Sequence, residues 1–336
     1  MDSQARNLTV EKIEDTSLWD KFVEASPQGT VFSTSQWLNA VSSVQGGEPL
    51  MVGVWKNDQL IAGVSCIHIA HGPFKKATSP VMTPYGGIIY RPDPGKRHSE
   101  AESFNMSCAQ QLIKYLNTRY HQVFLVHTPE FKDIRPFTWA GWSEKVHYTY
   151  IMDITDTKRL WDLLECNVRT VIRNAESTLE LGGPIDTEHF MELYKRIYHD
   201  RGWSPPVRPT MVNAMLNKVI NSNMAEMRTV YNKHGHVILA GVLVYDARSV
   251  YAWISGSIPG ENTSGAFSLH FWDAVKRHTG IHEKFDMVGA NIPSISFFKK
   301  RFAGVLTPYY VTERYSSPIS QVIMRTYSSM KRFKRW

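Results

Sequence analysis

The sequence predicts an α/β chain with mixed sheets, in which one plan is laid down twice in tandem. Three observations predict it. Each half holds two apolar, alternating runs broken by a polar turn: LMVGVWKNDQLIAGVSCIHI from residue 50 and MRTVYNKHGHVILAGVLVYD from residue 227. Such runs signal hairpins, and both second strands carry Ala-Gly-Val, at 62–64 and 240–242. The segments flanking the two hairpins also follow one order, which is the mark of an internal repeat.

A pair of helices precedes each hairpin. TSLWDKFVEAS and STSQWLNAVSS stand before the first, TEHFMELYKRIYHDRG and TMVNAMLNKVINS before the second. Their apolar residues recur at three and four, as one-sided helices require. A further strand and a helix follow each hairpin. The first of these helices is expected near Ser99, where Ser99 and Glu102 have capping-box spacing. The second is SGAFSLHFWDAVKRHTG, with Ser264 as N-cap and Gly280 as stop. Each half then closes with strand, short helix and strand. These read HQVFLVHT, DIRPFTWAGW and KVHYTYIMDI, then KFDMVGAN, SISFFKKRFAG and LTPYYVTERY. Both short helices end on Ala-Gly, at 140–141 and 303–304. Between the halves, Asp156 or Thr157 caps a helix expected to run through RLWDLLECNVRTVIRNAESTLE to Gly182-Gly183-Pro184. This places the border near residue 152, giving domains 1–152 and 153–318 and a basic tail, 319–336.

The totals agree with two domains. A chain of 336 residues exceeds the ~250–300 at which one core stops growing. Hydrophobic content of 43% excludes a disordered chain. A net charge of +7 favours an anionic partner: a nucleotide, a phosphate ester, RNA or a membrane surface. Cys66, Cys108 and Cys166 are widely spaced and read as buried free thiols in a reducing compartment. The N-terminus has no apolar core of a signal peptide, and no run reaches the ~18 apolar residues of a membrane helix. The expected setting is therefore the cytoplasm, with a monomer as the expected state. The tail KRFKRW offers contact with the inner face of the membrane or with RNA. Thirteen histidines show no metal-ligand spacing, and no metal is expected.

Several residues suit anion or substrate binding. Arg169 and Arg173 are four apart on one helix and can fork onto phosphates. Trp203 and Arg208 lie in the Pro-rich loop RGWSPPVRPT, where Trp203 can stack on a base or sugar. The strand SVYAWISGS offers Tyr251 and Ser255. Asp286, in KFDMVGA, can either work on an amine proton or bond its local backbone.

The order of elements, together with GTVFSTSQWL, VRTVIRNAES, YAWISGSIPG and FDMVGANIPSISFFKKRFAGVLTPYY, resembles the FemAB-like family of the GNAT acyltransferase superfamily. The resemblance covers about residues 15 to 318 and implies two GNAT-like domains in tandem, with the chemistry in the second. It implies transfer of an acyl or aminoacyl group onto an amine of a nucleotide- or lipid-linked cell-envelope glycan or peptide precursor, as in peptidoglycan synthesis. The implied donor is aminoacyl-tRNA or acyl-CoA, with no tightly bound cofactor. A CoA-dependent N-acyltransferase of surface polysaccharide synthesis is one alternative, and a non-catalytic RNA- or anion-binding scaffold is another. The family's Gly-Ala and Phe-Lys features fall on Gly289-Ala290 and Phe298-Lys299, and its helix-pair tryptophan on Trp37. A compact Gly-rich loop for a CoA pyrophosphate is missing from GENTSGAFS, which disfavours acyl-CoA.

Physical reading puts Lys299 first. Ile295, Phe298 and Phe302 share one helix face, and Lys299 borders it. A border lysine buries its stem and is expected to offer its ammonium at a cleft. Amine attack on an ester or thioester builds an oxyanion, which a fixed cation or N–H stabilises. Lys299 and Asp286 are thus the expected catalytic pair, with Phe298 beside them.

Overall fold

The computed structural model describes residues 7–92, 95, 97–200, 202–260 and 263–322. The tail beyond 322 and the side chain of Ser264 lie outside the described residues. The chain forms two compact units. One runs up to His147 and resumes at Tyr309; the other is Tyr148–Pro308. The borders thus fall at 148 and 309, against 152 and 318 as read from the sequence.

In the first unit, strands β1 (Thr9–Lys12), β2 (Glu48–Lys56), β3 (Gln59–His71) and β4 (Phe74–Thr78) follow one another in one sheet. β3 is long enough to serve two neighbours: Ala62–Ser65 pair with β5 (Gly87–Tyr90), and Ile67–His71 pair with β4. β4 then pairs in parallel with β6 (Gln122–Val126). Four helices cover this sheet: α1 (Thr16–Ala25), α2 (Ser35–Gln45), α3 (His98–Arg119) and α4 (Arg135–Trp139). Asp15 caps α1 by accepting from the Ser17 and Leu18 N–H groups, and Thr34 caps α2. The capping box at Ser99 does not form. α3 starts one residue earlier, so Ser99 lies inside the helix, and Glu102 turns to the Arg135 guanidinium instead.

The second unit takes up the end of β7 (Ser143–Asp153). Then come α5 (Thr157–Leu163), α6 (Cys166–Thr178), β8 (Leu179–Gly182), α7 (Thr187–His199) and α8 (Pro209–Ile220). The hairpin of β9 (Ala225–Asn232) and β10 (Val237–Tyr245) leads to β11 (Ser249–Ser257), α9 (Thr263–His278), β12 (Lys284–Asp286) and α10 (Pro293–Lys299). The sheet order is β7-β12-β11-β10-β9-β8. α10 is followed by β13 (Val305–Tyr315), whose Val311–Tyr315 pair with β6 in the first unit. Ile151–Asp153 of β7 pair with β12 in the second. Each unit's closing strand is therefore supplied by the other half of the sequence, which hydrophobic alternation cannot reveal.

The helix expected between the halves is broken. Leu164 is extended (φ −61°, ψ 144°), separating α5 from α6. Its cause is a tertiary clasp on Glu165: the Glu165 N–H donates to the Arg301 carbonyl, and Arg301 Nε reaches the Glu165 carboxylate at 3.2 Å. Asp156 caps α5 as the sequence suggests. Cys66 and Cys108 are buried, but Cys166, at the start of α6, is exposed. Burial pushes the Cys66 thiol up to about 12, so it is an inert core group.

The repeated Ala-Gly-Val has a packing cause. A Cβ at Gly63 would stand 2.6 Å from the fully buried Trp19 ring, and one at Gly241 would stand 2.3 Å from His270 Nε2. Both glycines let a buried aromatic ring approach the second hairpin strand closely. Gly241→Ala is therefore expected to destabilise the protein by about 1–3 kcal/mol, since overpacked cores pay in displaced side chains. A urea midpoint unchanged from wild type would show that His270 moves aside freely. Among the described residues, no helix is long and apolar enough to cross a membrane.

Candidate active site

β11 and β12 run parallel for three pairs only, from Ser249–Lys284 to Tyr251–Asp286. β11 continues to Ser257, paired with β10 on its other side. Past Asp286 the chain stays with β7: the Met287 N–H donates to Tyr150 O and the Ala290 N–H to Tyr148 O. The β11–β12 ladder thus ends halfway along β11, and the predicted strand KFDMVGAN is regular only to Asp286.

Residues 287–290 form the turn where the ladder ends. Val288 (φ +48°) and Gly289 (φ +76°) are both left-handed, a conformation that costs a β-branched residue roughly 1–2 kcal/mol. Two side chains hold the turn. Asp286, buried, accepts from the Val288 N–H at 2.8 Å and from the Thr149 hydroxyl at 2.5 Å. Lys299, 8% exposed, donates from Nζ to three carbonyls: Met287 at 2.5 Å, Val288 at 2.7 Å and Gly289 at 2.8 Å. An ammonium has three N–H groups, and three carbonyls take them. Burial lowers the Lys299 pKa to about 8, opposed by the Asp286 carboxylate.

This corrects the expected place of Lys299. Its ammonium faces inward onto backbone, not outward to a cleft, because the 287–289 carbonyls converge on it. The consequence lies on the other side of each peptide. In a trans peptide the C=O and N–H point in opposite directions. With the Val288 carbonyl drawn inward, the Gly289 N–H is turned outward. Among the described residues that N–H has no hydrogen-bond partner, and Gly289 is only half-buried. The neighbouring N–H groups of Val288 and Ala290 are taken by Asp286 and Tyr148. Asn291 completes the frame by accepting from the Tyr148 N–H at 2.9 Å.

The other expected site residues are scattered. Phe298 packs on Phe267, Phe271 and Phe302 and serves the core. Tyr251 is buried, with its hydroxyl donating to Asp246 at 3.0 Å. Trp37 is fully buried in the first unit and donates its indole N–H to Thr83 at 2.8 Å. All three thus pack within their own units. Arg169 donates to the Trp161 and Asp162 carbonyls and so closes the end of α5. Arg173 is exposed, its guanidinium 5.4 Å from the Trp161 ring. The two arginines thus rest on different partners around the end of α5. Trp203 and Arg208 are exposed in the loop before α8, and Arg208 precedes that helix without a side-chain cap. Ser255 is half-buried on the part of β11 beyond the ladder's end. Thr149, Val288 and Asn291 escaped the sequence reading. Only Gly289-Ala290, a break in an apolar strand, signalled the turn.

Comparison with solved structures decides the fold. The structure titled "Crystal structure of FemX" superposes with a TM-score of 0.69, covering 93% of this chain and 99% of that one, at 12% sequence identity. The fold is that of FemX. L-PGS from Bacillus licheniformis is also similar, with a TM-score of 0.51 at 10% identity, covering 92% of this chain and 95% of that chain. A conserved protein of unknown function from Bacteroides thetaiotaomicron VPI-5482 gives 0.54 at 12% identity, over 91% of this chain and all of that one. The near-complete coverage of FemX extends to both units of the duplicated plan. No protein-family model and no curated protein matches the sequence.

Proposed function

We propose that this protein is an aminoacyltransferase of the FemX fold. It moves an aminoacyl group from aminoacyl-tRNA onto an amine of a nucleotide- or lipid-linked cell-envelope precursor. One observation carries the reading: the outward Gly289 N–H, without a partner among the described residues and held at the end of the β11–β12 ladder by the three-way grip of Lys299. The acceptor amine attacks the ester carbonyl of the donor. A C–N bond forms, the ester C–O bond breaks, and the amine's proton leaves with the departing hydroxyl. The tetrahedral oxyanion accepts from the Gly289 N–H, a donor fixed before the charge develops. Lys299 and Asp286 are positioning residues in this scheme, since both spend their bonds on the turn. The absence of a compact glycine run before α9 favours the tRNA donor over acyl-CoA.

The test is a donor comparison. The protein is incubated with nucleotide-linked and lipid-linked envelope precursors and either aminoacyl-tRNA or acetyl-CoA, each labelled on the acyl group. Label is expected in an amide of the precursor from aminoacyl-tRNA. Label from neither donor would overturn the reading; label from acetyl-CoA alone would keep acyl transfer and replace the donor.

A further inference from the structure

The first unit contains a cavity of about 610 Å³ that the proposed chemistry does not use. It lies where the β2–β3 turn, the end of β5 and the first turns of α3 meet. Lys56, Gln59, Arg91, Phe104 and Asn105 line it, over an apolar floor that includes Ile61. Among the described residues the wall holds two cations and no carboxylate. Among the described residues neither Lys56 nor Arg91 has an ion-pair partner. Each is nevertheless held in place. The Lys56 ammonium stands over the Phe104 ring, 5.1 Å from its centre. With the Gln59 amide turned so that its oxygen faces Arg91, the guanidinium donates to it at 3.0 and 3.2 Å, and the Arg91 backbone N–H is tied to Ile61 O at 2.8 Å. Buried Phe104 and Ile61 anchor the floor to the core.

We infer that this cavity binds a small organic phosphate ester of nucleotide size. Two pre-placed cations, with no counter-charge among the described residues of the wall, match a phosphate dianion better than a single carboxylate. The volume falls within the roughly 300–1,000 Å³ of small-molecule sites and is far larger than a bare phosphate needs. The side-chain amides of Gln59 and Asn105 supply neutral hydrogen bonds at the rim, and Phe104 and Ile61 give the organic body an apolar seat. The inference does not rest on the transferase reading, because every wall residue belongs to the first unit.

Calorimetric titration of the full chain with ADP, and with inorganic pyrophosphate, at low ionic strength tests it. ADP is expected to bind and pyrophosphate to compete with it. Arg91→Gln, Lys56→Gln and Asn105→Asp, which puts a carboxylate into the wall, should each weaken ADP binding by about tenfold or more. Lys114→Gln removes an exposed cation further along α3 and should leave affinity unchanged. Asn105→Asp probes the wall without loss of the Lys56 or Arg91 contacts, should either of those variants fold poorly. Absence of binding by both probes would overturn the inference. So would ADP affinity that survives the wall replacements, or that falls equally in Lys114→Gln.

Discussion

Lys299→Met is expected to lower kcat in the transfer assay by about a hundredfold while leaving the protein folded. Methionine keeps the length and apolar stem of the lysine but brings no donor. The Met287, Val288 and Gly289 carbonyls then lose their common partner. Their peptide planes are free to rotate, and the Gly289 N–H loses its fixed direction. Removing one oxyanion donor costs roughly 10²–10³ in rate. The stability change is smaller because two effects oppose. Unsatisfied carbonyls cost about 1–3 kcal/mol each when buried, whereas removing a desolvated ammonium restores part of this. A net loss of about 2 kcal/mol is expected from the excess of three acceptors over one cation. Turnover within twofold of wild type would remove Lys299 from the mechanism.

The alkaline limb of the rate profile is expected to fall near pH 8, where burial has moved the Lys299 pKa. Below that pH the ammonium is charged and holds three carbonyls. Above it the neutral amine has two N–H groups for three acceptors, and the turn loosens. Stability moves the other way. The unfolded chain keeps the ordinary lysine pKa of 10.5, so between about 8 and 10.5 it binds a proton that the folded chain has released. The desolvation cost of Lys299 is thus fully present below pH 8 and is relieved as pH rises toward 10.5. Activity falling while the urea midpoint rises, relative to Lys299→Met, is the signature of this one group. A limb that persists unchanged in Lys299→Met would assign it elsewhere.

The repeat was legible because each half advertises the same local chemistry. The hairpin turns are polar, the second strands carry Ala-Gly-Val, and both short helices stop at Ala-Gly. That last pair hides a difference: Gly141 takes the left-handed position in the first half, but Ala303 takes it in the second (φ +59°). What the sequence could not reveal depends on distant partners. The break at Leu164 exists because Arg301 clasps Glu165. The exchange of β7 and β13 between units follows from pairing choices that alternation leaves open. At the site, periodicity correctly set Lys299 at the edge of the Phe298–Phe302 face, but it cannot say whether an edge lysine faces solvent or backbone. The three carbonyls it meets come from residues ten to twelve positions earlier, in a turn whose left-handed Val288 no propensity suggests. Trp37 and Tyr251 sit at motif positions, yet their indole and phenol groups donate to Thr83 and Asp246.

The most direct test concerns a single hydrogen. Glycolic acid incorporated at position 289 replaces the Gly289 N–H by an ester oxygen. It leaves the Lys299 grip on the Met287 and Gly289 carbonyls and every side chain in place. With aminoacyl-tRNA as donor, the account predicts a fall in kcat of about 10²-fold, with KM and melting temperature close to wild type. A variant that turns over within twofold of wild type would contradict the claim that this N–H receives the oxyanion.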